Sequence, residues 1–140
     1  MTYLEPAQDA GRALFTRGIS GAVVMLNLLR LREVADYVAT PELAPPSPIS
    51  GAKAYDMYIA HTLPLLRKRG GDVIFLGKGG PFFIGPPGEV WDLAMLVRQA
   101  SLNDFAAFTS DADYLAGIGH RTAAISDSRL LPLVEQSLRG

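Results

Sequence analysis

The sequence contains no cysteine, and this absence excludes disulfides, thiol nucleophiles and zinc–thiolate sites. An excess of either charge is missing as well, because 13 basic residues face 14 acidic ones and the net charge is -1. Such a balance favours neither nucleic acid nor an anionic membrane surface as a partner. Apolar runs fall short of the about 20 residues that a membrane-spanning helix needs, and the start, MTYLEP, lacks the basic and apolar segments of a signal peptide. We therefore expect a cytoplasmic protein with no nucleic-acid or membrane partner.

Histidine is scarce too, since the sequence has only His61 and His120. They form no HxxxH or HExxH pair, and on separate helices they would need carboxylates to complete a metal site. The segment GKGG at 77–80 lacks the Lys-Ser or Lys-Thr step and the following helix of a phosphate-binding loop. A GxSxG nucleophile motif is missing as well. We expect no metal and no cofactor, and the sequence identifies no catalytic residue.

What is present is the composition of a globular protein, with 49% hydrophobic residues in a chain of 140. That length predicts a single domain over residues 1–140. Residues 1–21 are an N-terminal helical extension, and residues 32–49 are a proline-rich arm. Apolar periodicity, capping residues and glycines that end helices predict the helices and strands of the chain. The predicted helices are 6–17, 50–69, 101–108 and 110–125, with Ser50, Ser101 and Ser110 as the expected N-caps of the last three and a kink expected at Pro64. The predicted strands are 22–31, 72–77, 89–98 and 128–134.

The order of elements after the first helix is strand, helix, strand, strand, helix, strand, with the last helical region in two pieces. This is the βαββαβ order of the ferredoxin-like α+β fold, an antiparallel sheet with helices on one face. The first strand is apolar on both faces, because Val23 and Met25 alternate with Val24 and Leu26. Since one face of such a sheet normally meets water, we expect a second copy to cover it in a homodimer. The alternative is that the N-terminal helix and the arm cover that face.

Several segments together resemble one known family. They are VVMLNLLRLRE, GAKAYDMYIAH with Tyr55 and Tyr58, the pair Gly70-Gly71, Trp91-Asp92, Ser101-Leu102 with Phe105 and Phe108, SDADYL, and HRTAAISDSRLL. From Ala22 to Leu133 the chain resembles the family called domain of unknown function 1330, in the dimeric α/β-barrel superfamily. The resemblance implies a dimeric α/β barrel and no particular activity, since a fold does not specify one.

Polar and aromatic side chains on otherwise apolar elements are the candidate ligand-binding residues. Each also has a structural explanation: a buried amide or hydroxyl needs a partner, an aromatic ring packs in a core, and a histidine on a polar helix face contacts solvent or an interface. The adjacent His120 and Arg121 are suited to an anion. The candidates are Asn27, Tyr58, His61, Trp91, His120 and Arg121.

These residues leave two functional hypotheses open. The first is a small-molecule-binding protein or cofactor-independent enzyme with a pocket between the sheet and the helices, taking a small apolar or anionic ligand. The dimeric α/β-barrel superfamily, rather than the family itself, suggests monooxygenase- or isomerase-like chemistry for such an enzyme. The second is a non-catalytic dimeric structural or interaction protein in which the same residues serve the interface. Convergence of these side chains on one cavity favours the first hypothesis, and their scatter favours the second.

Overall fold

The computed structural model describes residues 1–138, in which an N-terminal helix precedes four strands and three further helices. A short 3₁₀ turn lies in the arm at Pro41–Leu43. The helices are α1 Ala10–Phe15, α2 Gly51–Lys68, α3 Leu102–Thr109 and α4 Ala112–Ala124, and the strands are β1 Val23–Leu31, β2 Asp72–Pro81, β3 Val90–Gln99 and β4 Ile125–Leu133. This order confirms the predicted βαββαβ arrangement with an additional N-terminal helix.

Helix starts follow local capping chemistry. The Ser50 hydroxyl accepts the Lys53 N–H at 3.0 Å, and the Ser101 hydroxyl accepts the Asp104 N–H at 3.0 Å, as the sequence predicts. The prediction that Ser110 caps α4 is wrong. Its hydroxyl donates to the Ala106 carbonyl at 2.8 Å and so belongs to the end of α3, while Asp111 is the N-cap of α4.

Two strands and the N-terminal helix also differ from the predicted bounds, since α1 is shorter than the predicted 6–17. Strand β2 continues past Gly77 to Pro81, because it stays paired with β3 as far as Pro81 opposite Val90. Strand β4 begins at Ile125, which pairs with Leu31 across a β-bulge. Helix α2 continues through the exposed Pro64, and the kink expected there stays a prediction. None of the helices in the described part of the chain is both long and apolar enough to cross a membrane.

The sheet has the strand order β2-β3-β1-β4, and every neighbouring pair is antiparallel. Strand β1 is central: Met25 lies opposite Val97 of β3 and opposite Pro132 of β4. Strands β2 and β4 are the two edges. This order and these directions define the ferredoxin-like fold and confirm the predicted fold class.

The core lies on the helix side of the sheet. Val23, Met25 and Leu29 of β1 are at most 1% exposed and pack in one cluster with Ala54 and Tyr55 of α2. Alternation along β1 sends the intervening side chains to the opposite face. That opposite face, which we call the open face, carries Val24, Leu26, Leu28, Leu96, Leu131 and Leu133.

The arm packs on the helical layer. The Asp36 N–H donates to the Ala123 carbonyl at 2.9 Å at the end of α4, and the Ala35 N–H donates to the Ile49 carbonyl at 2.9 Å. At the other end of the chain, the Tyr3 N–H donates to Asp127 Oδ1 at 2.8 Å. The open face meanwhile keeps apolar surface in contact with solvent, with Leu131 54% exposed and Leu133 36% exposed.

Candidate functional site

A cleft of about 980 Å³ opens between α2 and the sheet. It lies where β1 ends, beside the middle of β2 and the first half of β3. Its walls are mainly apolar, formed by Leu31, Tyr55, Ile59, Leu76 and Leu93. Cavities of about 300–1,000 Å³ with such walls are typical of sites for small organic molecules.

A close approach of backbones joins α2 to the end of β1 beside this cleft. The Gly51 N–H donates to the Arg32 carbonyl at 3.1 Å, which places the first turn of α2 against the end of β1. A Cβ atom on Gly51 would lie 2.7 Å from the Ala124 carbonyl oxygen, so only glycine permits this contact without a backbone shift. On the β2 side, Gly77 and Gly79 border the cleft without side chains that would fill it.

The cleft contains two cationic side chains, Arg32 and Lys78. The backbone of Arg32 is held firmly, because its N–H donates to the Ala124 carbonyl at 2.8 Å and its carbonyl accepts from Gly51. Its side chain is not held: Nε is buried and has no hydrogen-bond partner among the described residues. A buried N–H donor without an acceptor is costly, so this atom is the most distinctive polar feature of the cleft.

Three carboxylates also border the cleft, those of Glu33, Asp56 and Asp92. Asp92 has a structural partner, since its Oδ2 accepts the Leu31 N–H at 2.7 Å. Glu33 and Asp56 are exposed residues and remain hydrated. Within residues 1–138, no three histidine, aspartate or glutamate side chains cluster in a way that could hold a metal ion.

The buried tyrosines next to the cleft are hydrogen-bond donors and acceptors rather than bases. Burial raises the pKa of Tyr55 well above its ordinary value, and burial together with the neighbouring Tyr114 and Tyr55 raises that of Tyr58. Both hydroxyls therefore stay protonated at neutral pH. Tyr55 borders the cleft, while the Tyr58 hydroxyl lies 3.0 Å from the Tyr114 hydroxyl in the seam between α2 and α4.

The two histidines predicted as ligand-binding residues lie on the helical layer. Nε2 of His61 is 2.6 Å from the Asp113 carbonyl oxygen at the start of α4. Nδ1 of His120 is 2.8 Å from the Tyr37 hydroxyl of the arm. Burial, and secondly the proximity of His61, lower the pKa of His120, so its ring is neutral at neutral pH. Each histidine thus connects two segments of the fold.

The other predicted residues have partners of their own. Nδ2 of Asn27 donates to the Met25 carbonyl on the same strand at 3.2 Å. Arg121 donates to the Leu4 carbonyl at 2.9 Å and so holds the N-terminal segment. Trp91 is 3% exposed and is covered by guanidinium groups.

Trp91 belongs to a cation–π cluster at one end of the sheet. The guanidinium carbon of Arg30 lies 4.7 Å from the Trp91 ring centroid, and that of Arg129 lies 5.0 Å from it. Asp127, whose side chain is 4% exposed, pairs with both arginines at 3.4 and 2.7 Å. Tyr3 completes the cluster, with Arg129 4.6 Å from its ring. The charged groups of this cluster are paired with one another, and the contacts of Tyr3 hold the N-terminal segment against the sheet.

None of the six predicted residues borders the cleft, and the structure does not gather them around one cavity. Their role in ligand binding therefore stays a prediction. Arg32 and Lys78 were not among the predicted residues. The available signals were the charged step directly after the first strand, LRLRE, and the lysine within GKGG, but only the fold shows that these two segments face one cleft.

Comparison with known proteins shows the family to which this chain belongs. No family model and no curated protein matches this chain. The crystal structure of the RPA0582 protein of Rhodopseudomonas palustris, described as a protein of unknown function, is 30% identical over 99% of this chain and 100% of that chain, with a TM-score of 0.84. This chain belongs to the RPA0582 family. The crystal structure of methylated RPA0582 is equally similar, with 30% identity over 97% of this chain and 96% of that chain and a TM-score of 0.85.

A more distant likeness adds nothing beyond the fold. A dabb family protein with a ferredoxin-like fold from Mesorhizobium loti is 12% identical over 84% of this chain and 100% of that chain, with a TM-score of 0.48. Since no family model matches, the resemblance to domain of unknown function 1330 is not confirmed. Membership of the RPA0582 family accounts for the fold and supplies no activity, so the function has to be argued from the site.

Proposed function

We propose that this RPA0582-family protein binds a small organic molecule in the cleft between α2 and the sheet. The observation that supports the proposal is the cleft itself: about 980 Å³, mainly apolar walls, and charged side chains on its border. Any cofactor-independent conversion of the ligand, of the monooxygenase or isomerase type, would take place there. Of the six residues predicted from the sequence, Tyr58, His61 and His120 would act indirectly, by linking α2, α4 and the arm.

The walls favour a ligand with an apolar body. Ile59 projects from α2, and Leu76 and Leu93 lie on neighbouring strands, so aliphatic surface faces the cleft from two sides. These three side chains are only partly buried or exposed in the single chain. A ligand that covers them removes apolar surface from water, at about 25 cal/mol per Å².

We also propose that the protein is a homodimer, paired through the open face. This face presents a row of leucines in the centre of the sheet, since Leu26 lies opposite both Leu96 and Leu131. Contiguous apolar surface of this kind marks an interaction site. Pairing of two such faces would give the dimeric α/β barrel that the resemblance to domain of unknown function 1330 implies, with one domain from each cytoplasmic copy.

A non-catalytic dimeric interaction protein is the second candidate. The observation that favours it is the use of His61, His120 and Tyr58 as links between α2, α4 and the arm, because these side chains are then structural. The two candidates differ in whether the cleft has an occupant.

The test is a thermal-shift screen of small organic acids, amides, alcohols and heme against three proteins. Ala60→Trp places a bulky ring at an exposed position of α2 that borders the cleft. Ala116→Trp makes the same change at an exposed position of α4 and is the matched control. A ligand at 100 times its Kd adds about 2.7 kcal/mol of stability, which raises the Tm by about 8 °C in a domain of this size.

We expect a compound that stabilises the wild type and Ala116→Trp and fails to stabilise Ala60→Trp. A ligand that stabilises all three equally binds elsewhere and contradicts the proposal. A screen in which no compound stabilises the wild type favours the non-catalytic interaction protein.

A further inference from the structure

We infer that the ligand of the cleft is an organic anion with an apolar body, and that Arg32 binds its negatively charged group. The inference rests on the proposed function and adds the chemical class of the ligand. It depends on the state of Arg32 in the fold, on its difference from the other arginines, and on how charge is distributed around the cleft.

Arg32 has a buried donor and no acceptor. Its Nε is buried without a hydrogen-bond partner among the described residues, and a buried N–H donor without an acceptor is costly. Arg32 as a whole is only partly buried. An anion held by its guanidinium would bring an acceptor close to this group.

Most arginines near the core are already paired. Arg30 and Arg129 share Asp127, Arg69 pairs with Asp111 at 3.3 Å, and Arg121 donates to the Leu4 carbonyl. Arg32 is partly buried and borders the cleft, and in residues 1–138 it forms no salt bridge. Its guanidinium is therefore available to a ligand in a way that these others are not.

The position of Arg32 is preorganised. Its N–H donates to the Ala124 carbonyl and its carbonyl accepts from Gly51, so β1, α2 and α4 together fix its backbone. A backbone fixed in advance leaves only the side chain to be ordered when the guanidinium binds an acceptor. Guanidinium groups hold carboxylates and phosphates through paired hydrogen bonds, and this geometry favours such an anion over a neutral acceptor.

The carboxylates around the cleft do not remove this preference. Asp92 is engaged with the Leu31 N–H, and Glu33 and Asp56 are exposed, where water screens their charge. Lys78, also exposed and bordering the cleft from β2, adds a second positive charge. An anion bound at Arg32 then directs its apolar body towards the aliphatic walls.

The test uses three probes of similar body and different charge: phenylacetate, phenylacetamide and phenethylamine. Isothermal titration measures the Kd of each for the wild type, Arg32→Gln, Arg32→Lys and Arg67→Gln. Arg67 lies in the last turn of α2, outside the cleft, and is the matched control because its ion pair with Asp72 is exposed. Circular dichroism and the melting temperature establish that each variant is folded, and Lys78→Gln is a second variant for the same effect should Arg32→Gln fail to fold.

We expect phenylacetate to bind about 10–100-fold more tightly than phenylacetamide, the ratio that a charge-assisted hydrogen bond gives. Arg32→Gln abolishes this preference, Arg32→Lys retains part of it, and Arg67→Gln leaves it unchanged. Lys78→Gln reduces it a few-fold. Equal binding of acid and amide, or tighter binding of phenethylamine, overturns the assignment of an anion while cleft binding stands. No binding of any probe to a folded wild type contradicts the anion assignment, whereas the Ala60→Trp screen with its wider set of ligands decides the proposed function separately.

Discussion

Replacing Leu131 by aspartate tests whether the open face is the dimer interface. Leu131 lies opposite Leu26 in the pairing of β1 with β4, and Leu26 lies opposite Leu96 of β3, so the three form a row across the centre of the face. Leu131 is 54% exposed in the single chain. The substitution should therefore disturb the fold of one copy little, as exposed substitutions usually do.

The expected effect on pairing is large. Full burial of a leucine gains about 1.5–3 kcal/mol, so covering the exposed half of Leu131 gains about 1 kcal/mol in each copy and about 2 kcal/mol in the dimer. Desolvating the two aspartates of the dimer together costs at least about 2 kcal/mol more. The sum of about 4 kcal/mol raises the dimer Kd about 1,000-fold, since 1.4 kcal/mol is a factor of ten.

Sedimentation velocity over a micromolar concentration series measures this change. The matched control is Leu115→Asp, since Leu115 of α4 is 50% exposed and lies away from the sheet's open face. We expect dimers for the wild type and Leu115→Asp, and monomers with an unchanged far-ultraviolet circular dichroism spectrum for Leu131→Asp. A monomeric wild type, or a Leu131→Asp dimer as tight as the wild type, refutes the assignment of the interface.

Three further substitutions test the contacts around the site. Tyr58→Phe leaves the buried Tyr114 hydroxyl without its partner at 3.0 Å, so urea unfolding should show a loss of about 1–3 kcal/mol; an unchanged midpoint would contradict this pairing. Burial alone would raise the pKa of Asp127, but hydrogen bonds from the Tyr3 and Ser128 N–H groups and from Arg129 hold the pKa below its ordinary value. The stability from that shift is present above about pH 4 and is lost as pH falls through the folded-state pKa. Asp127→Asn should therefore flatten the acid side of a plot of Tm against pH. The same acid slope in the variant and the wild type would contradict this role of Asp127. Tyr37→Phe removes the hydrogen bond to His120 and should speed limited proteolysis within residues 32–49, whereas identical cleavage kinetics would show that the bond does not hold the arm.

The order of helices and strands could be predicted because its determinants are local. Ser50 and Ser101 cap helices through their own neighbours, and alternation within the strands is visible in the sequence. Bounds that depend on distant partners could not be predicted in this way. Gly77–Pro81 has the composition of a turn, yet β3 holds it as strand, and the start of β4 depends on a bulge opposite Leu31.

The site was harder to predict than the fold, because it too depends on partners that are distant in the sequence. Asn27 and His61 are unusual in their local sequence, but the fold gives each a partner, on the same strand for Asn27 and on α4 for His61. Arg32 looks ordinary in the sequence, a charge just after a strand. What distinguishes it is the absence of a partner for Nε in the described part of the chain, which only the packing of three elements reveals.

The most direct test of ligand binding in the cleft is to locate a bound ligand by nuclear magnetic resonance. Phenylacetate is titrated into methyl-labelled protein, and intermolecular nuclear Overhauser effects are recorded at saturation. We predict contacts from the aromatic ring to the methyl groups of Ile59, Leu76 and Leu93, which border the cleft, and none to Leu131 on the open face. Contacts confined to the seam around His61 and His120, or no contact with the cleft methyl groups at saturation, would contradict the account.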